Sequence, residues 1–162
     1  MKRIFLLTAV AVIAAPPAVA KTARHHHAVA TKAKAAATPA ELKWMDGPPG
    51  LPGGSKFAVV AGDPTKEGTF VIRAKFPAGY AVPAHHHPAD ERVAVLSGRL
   101  GYGMSDKLDK AKAKTLTAGH HVVMKADMNH WVFARTPTTV QVTGNGPFQI
   151  AYVDPKDDPR TK

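Results

Sequence analysis

The chain holds nine histidines and no cysteine. Disulfides, cysteine nucleophiles, thiolate metal sites and lipid attachment at cysteine are therefore excluded. Any metal site must use imidazole and carboxylate. His85 and His87 stand two residues apart on a strand pattern, so their side chains leave the same face. Glu91 follows across a short loop, at the start of the next strand. His130, in Asn129-His130-Trp131, begins another strand. Three neutral imidazoles and one carboxylate satisfy one divalent transition metal (Fe, Mn, Ni, Cu or Zn) and leave one or two positions open for substrate or water. The remaining histidines fit this chemistry less well. Alternation turns His86 away from its neighbours, and His120 and His121 precede a strand as loop residues. Asp90 is either a hydrogen-bond partner for a ligand imidazole or a solvated carboxylate.

These residues sit among short apolar or alternating runs, separated by Gly, Pro, Asn and Asp. The runs are FAVVA (57–61), TFVIRAKF (69–76), YAVPAH (80–85), RVAVLS (92–97), RLGYGM (99–104), HVVMK (121–125), HWVFAR (130–135), TTVQVT (138–143) and FQIAYV (148–153). Period-two alternation with Val, Thr and aromatic enrichment marks strands. Leu96-Ser97-Gly98-Arg99 reads as a tight hairpin turn, and Gly144-Asn145-Gly146-Pro147 as a looser one. Residues 105–114 are charged almost throughout and read as a solvated turn or loop. Residues 41–56 read as irregular chain or an edge strand. Tyr80, Tyr102, Met124, Val93, Val95 and Val132 are candidates to line the interior. Trp131 and Phe133 share the face opposite His130 and call for cover from an outer layer or a second subunit. So many short strands make an all-β protein, a sandwich or a barrel.

The first forty residues have a different character. Lys2 and Arg3 precede an uncharged apolar run over 4–15, then Pro16-Pro17 and Ala18-Val19-Ala20. This is the pattern of a secretory signal peptide over 1–20, which predicts a periplasmic or secreted protein. The run is shorter than the roughly 20 residues a spanning helix needs, so no stable membrane anchor is expected. Residues 21–40 are built from Ala, Lys, Thr and His and read as a disordered tether ahead of a single domain over 41–162. Its triplet His25-His26-His27 pre-organises no coordination geometry. The formal charge of +10 invites a nucleic-acid partner. However, six of the 22 Lys and Arg precede residue 41 and all 12 Asp and Glu follow residue 40, which leaves +4 on 41–162. A nucleic-acid partner is not expected.

The spacing G-x5-H-x-H-x3-E-x6-G, from Gly79 through His85, His87 and Glu91 to Gly98, resembles the first sequence motif of the cupin superfamily at every named position. Gly119 and His130 match the second motif, while Lys125, Asp127 and Ala134 stand where Pro, Gly and Asn are usual. The run His-x-His-Pro-x-Asp-Glu from His85 to Glu91, with Gly146-Pro147-Phe148 and Asp157-Asp158-Pro159-Arg160, is similar in particular to small exported single-domain cupins of uncharacterised role. The resemblance implies an antiparallel β-barrel or jelly roll with a metal inside it, held by His85, His87, Glu91 and His130. It also implies a small-molecule ligand or substrate and is compatible with a homodimer. Oxygenase, decarboxylase and isomerase chemistry all occur on such a scaffold. A non-catalytic periplasmic binding module and a metal-free structural cupin are the alternatives, and the complete ligand set counts against the second.

Overall fold

The computed structural model describes residues 41–162. The expected leader 1–20, the tether 21–40 and the triplet His25, His26 and His27 lie outside the described residues. Among the described residues there are eleven strands: β1 (Met45–Asp46), β2 (Lys56–Ala61), β3 (Gly68–Phe76), β4 (Ala81–His86), β5 (Glu91–Ser97), β6 (Arg99–Gly103), β7 (Lys114–Thr117), β8 (His121–Met124), β9 (His130–Ala134), β10 (Thr138–Gly146) and β11 (Ala151–Tyr152). They form two antiparallel sheets, one ordered β1-β2-β3-β10-β5-β8 and the other β11-β4-β9-β6-β7. Both sheets have free edges, so the all-β expectation holds as an open jelly-roll sandwich rather than a closed barrel. Two single-turn 3-10 helices, Pro155–Asp157 and Pro159–Thr161, end the chain. Among the described residues no helix is long and apolar enough to cross a membrane.

Alternation builds the core. Along β3, Phe70, Ile72, Ala74 and Phe76 are buried while the residues between them are more exposed. Val93 and Val95 of β5, and Val140 and Val142 of β10, join them from the same sheet, facing Val82 and Leu100 of the other. Each large aliphatic side chain removed from water contributes about 1.5–3 kcal/mol, so this inner layer holds the two sheets together.

The turn at Ser97-Gly98-Arg99 is tight but does not close a hairpin. β5 and β6 belong to different sheets, and Gly98 is the corner at which the chain crosses between them. Gly98 has φ +82°, and a Cβ there would lie 2.2 Å from the Pro137 carbonyl oxygen. Of the looser turn expected at 144–147, residues 144–146 are instead strand, because β10 pairs with β3 as far as Gly146↔Gly68, and the chain bends only at Pro147. Residues 105–113 form bends and turns, as expected, whereas Lys114 already opens β7.

Trp131 and Phe133 need no second subunit. Both are buried with Ala84 in a second cluster on the outer face of the β4-β9-β6 sheet, packed against Leu108 and Ala113 of the 104–113 segment. The Trp131 indole N–H donates to Ser105 Oγ at 2.9 Å. Gly101 and Gly103 on β6 lie opposite Phe133 and Trp131, where a Cβ would meet the rings at 2.3 and 2.1 Å. The aromatic face that could have pointed to a dimer is therefore covered by its own chain.

Candidate metal centre

A local irregularity in β4 aims the first histidine. Val82 pairs with Val132 and His85 pairs with His130, so β4 uses three steps where β9 uses two. This bulge at Pro83-Ala84 switches the phase of the strand. Ala84 faces the outer cluster, while His85 turns inward beside His130, their ring centroids 4.3 Å apart. His87 lies just past the end of β4, also buried, with its ring stacked on Phe148 at 4.6 Å. Glu91 opens β5 and is buried as well. The structure thus brings together all four residues expected from the sequence.

Backbone carbonyls fix the orientation of each ring. His85 Nδ1 lies 2.6 Å from Pro83 O, His87 Nδ1 2.5 Å from Gln149 O, and His130 Nδ1 2.8 Å from Met128 O. A carbonyl can only accept, so each Nδ1 carries the proton and donates it. Nε2 is left with a lone pair on every ring. One ligand atom from each of the three residues lies within 4.8 Å of the others. The Nε2 atoms of His87 and His130 are buried without a hydrogen-bond partner. Buried polar atoms rarely go unsatisfied, and orphans in a cluster point to a missing partner.

Glu91 supplies the charge. Its Oε2 stands 3.5 Å from His130 Nε2 and 3.7 Å from His87 Nε2. Lone pairs and a carboxylate at this range repel unless a cation, a proton or a metal ion, lies among them. Donors held about 2.1 Å from one ion stand roughly 3.0–3.5 Å apart, so Glu91 already stands near that range from two rings, while the histidine ligand atoms, within 4.8 Å of one another, would draw closer around an ion. Glu91 lies outside the tight three-histidine group, on the side of His87 and His130. Burial lowers the pKa of His85 to about 3, helped by the neighbouring imidazoles, and burial also lowers that of His87. Burial pushes the Glu91 carboxyl upward, but His130 and the other imidazoles pull it down more strongly, to below its ordinary value. At neutral pH the site therefore offers neutral imidazoles at His85 and His87 with an ionised carboxylate, which are the protonation states a divalent ion requires. Three buried histidines here could bind a metal.

The approach to His130 is held from outside. Asp90 accepts from Lys125 Nζ at 2.7 Å and from the Ala126 N–H at 2.9 Å. The Asp127 N–H donates to His87 O at 2.8 Å. Asp90 thus braces the turn into β9 and does not touch an imidazole. Lys125, standing where Pro is usual, supplies one half of that brace. Asp127, standing where Gly is usual, has φ +59°, a left-handed conformation that Asp tolerates. His86 is half-buried, with Nδ1 unpartnered, and His120 and His121 are exposed, with His120 bonded to Thr117. None of these three lines the cavity.

The cavity itself measures about 350 Å³ and lies between the sheets. Tyr80, Met124, Val93 and Val95 belong to the inner core and Tyr102 and Val132 pack against it, as expected; of the six, Val93 and Val132 also line the cavity. Two segments that the sequence left without a role also line it. One includes Gly50 and Leu51, the other Phe148, Gln149 and Ile150. They are joined where the Tyr152 hydroxyl donates to Gly50 O at 2.9 Å. Only FQIAYV (148–153) hinted at them, read there as a strand.

An open jelly roll with inward histidines on neighbouring strands is the architecture of the cupin superfamily. Solved structures agree on the fold. The polyketide cyclase RemF from Streptomyces resistomycificus superposes with a TM-score of 0.63 at 14% identity, over 78% of this chain and 90% of that one. KdgF from Halomonas sp. gives 0.55 at 20% identity, over 69% and 93%. An RmlC-like cupin from Shewanella frigidimarina gives 0.55 at 16% identity, over 69% and 90%. Within that fold, the chain belongs to the family described as "Domain of unknown function (DUF4437)", which matches residues 13–151. No curated protein matches the chain.

Proposed function

We propose that this chain is an exported cupin in which His85, His87, His130 and Glu91 hold one divalent transition metal and act on a small oxygen-bearing molecule, by oxygenase, decarboxylase or isomerase chemistry. The observation that carries this reading is the convergence of Nε2 lone pairs, two of them orphaned, on a buried carboxylate beside a cavity. A bound divalent ion supplies Lewis acidity toward an oxygen donor. The chain's own contribution is orientation and exclusion of water. Pro83 O, Gln149 O and Met128 O hold the three rings, and the segments around Gly50 and Phe148 help enclose the cavity. Glu91 adds a negative charge that partly neutralises the ion.

One observation favours a second reading, a periplasmic binding module without turnover. Among the described residues, the only polar side chains lining the cavity besides these four are Gln149 and Arg160, and neither is a general base at neutral pH.

Metal content tests the shared part of both readings. His25, His26 and His27 are changed to Ala in the full chain to remove adventitious binding. The protein is then expected to retain metal, and His85→Ala or His130→Ala to lose it by at least about tenfold. Chelation should lower the melting temperature of the parent and leave both variants unmoved. Equal metal in parent and variants refutes the assignment. Oxygen uptake by the iron-loaded protein with phenols, sugars and dicarboxylates separates the oxygenase reading from the binding module.

A further inference from the structure

The cavity walls say what kind of molecule it takes. Ile72, Val93, Val140 and Val142 line it from one sheet, and Leu100 and Val132 from the other. The imidazoles and Glu91 form a single polar spot, since the three rings crowd within a few ångströms of one another. Of the two remaining polar side chains, Arg160 is already engaged. Its Nε and Nη2 donate to the Asp158 carboxylate at 2.8 and 2.7 Å, and Nη2 also donates to Ile150 O at 3.0 Å. It is paired with Asp158, and no other Lys or Arg lines the cavity among the described residues. A dicarboxylate would find, for its second acid group, only a guanidinium that already serves a carboxylate of the chain. A sugar would leave most of its hydroxyls against aliphatic wall, and buried unpaired polar groups are strongly disfavoured. The volume of about 350 Å³ holds about a dozen water-sized groups.

We infer that the ligand is a compact, uncharged, largely hydrocarbon molecule, alkyl or aromatic, with one hydroxyl or carbonyl end directed at the imidazoles. The aliphatic walls, Val132 among them, select it by shape. The oxygen end rests on the metal-site reading, but the hydrocarbon end does not, because an apolar wall binds apolar groups with or without an ion.

The probes are 4-methylphenol, galacturonate and succinate, titrated calorimetrically into the full chain in chelator-treated and zinc-loaded forms. In the zinc-loaded form 4-methylphenol should bind at least about tenfold tighter than either of the others. Val132→Phe should weaken it by about tenfold with zinc uptake unchanged. Should that variant unfold, Val132→Ala gives the converse reading: 4-propylphenol should gain several-fold relative to 4-methylphenol. Galacturonate or succinate binding as tightly as 4-methylphenol overturns the inference. So does indifference of the phenols to both substitutions. If the protein takes up no zinc yet binds 4-methylphenol, the metal reading fails and this one stands. If it takes up zinc and binds no phenol, this one fails alone.

Discussion

Strand β9 presents two faces that solve opposite problems. Its outward residues, Trp131 and Phe133, are packed against Ala84 and the 104–113 segment, and the indole N–H is paired with Ser105. Its inward residues, His130 and Val132, look into a cavity, and there Nε2 of His130 is left without a partner. The outer face is closed to the point that Gly101 and Gly103 have no room for a Cβ. The inner face keeps space and an unsatisfied lone pair side by side. A chain that satisfies its polar atoms on one face of a strand can do so on the other, so the orphaned atoms mark where something other than protein belongs.

The largest contrast is expected from a matched pair of substitutions. Trp131→Ala should cost about 3–5 kcal/mol in urea denaturation, because it empties a filled site. His130→Ala in chelator-treated protein should cost less than about 2 kcal/mol, since removing an orphaned polar atom offsets part of the lost packing. Equal costs would erase the distinction between the faces.

Acid sharpens the same contrast. His85 is held at about 3 against an ordinary 6.5. Between these values the unfolded chain binds a proton that the folded chain refuses, so stability rises with pH there. In metal-free protein this contribution is full above about pH 6.5 and is lost as the pH falls toward 3, at up to about 1.4 kcal/mol per unit. His87 shifts in the same direction. Glu91, lowered from 4.5, adds a loss only at more acid pH. The loss of stability between pH 7 and pH 5 should therefore shrink in His85→Ala. An unchanged loss would place the acid sensitivity elsewhere.

The smallest effect is expected at the rim. Asp90→Ala removes an exposed pair with Lys125 and one bond to the Ala126 N–H, so the melting temperature should fall only slightly. Zinc affinity should fall a few-fold, because the turn that carries His130 is loosened. A variant with intact affinity would show that β9 alone positions the ring.

Much of this was legible in the sequence. Alternation located most of the strands, and the spacing of His85, His87, Glu91 and His130 named three buried histidines that crowd together and a carboxylate that stands beside two of them. The losses have physical causes. Alternation gives the face a residue occupies but not which sheet its strand joins, so Gly98 read as a hairpin although the chain changes sheets there. β7 is short and carries one buried residue, Leu116, too little for a periodic signal. The bulge that turns His85 inward is a miscount between two distant strands and exists only once they pair. Lys125 and Asp127 read as departures from a motif, yet one braces the turn against Asp90 and the other adopts the left-handed conformation that Gly would have supplied. The segments at Gly50 and Phe148 meet across about a hundred residues of chain, a separation local pattern does not span.

The central claim is that three Nε2 atoms and Glu91 share one ion. X-ray absorption at the zinc edge, on the full chain with His25, His26 and His27 replaced by Ala, tests it directly. The predicted result is three imidazoles and at least one oxygen at about 2.0–2.2 Å. A shell with two imidazoles or fewer, or with oxygen alone, would contradict it.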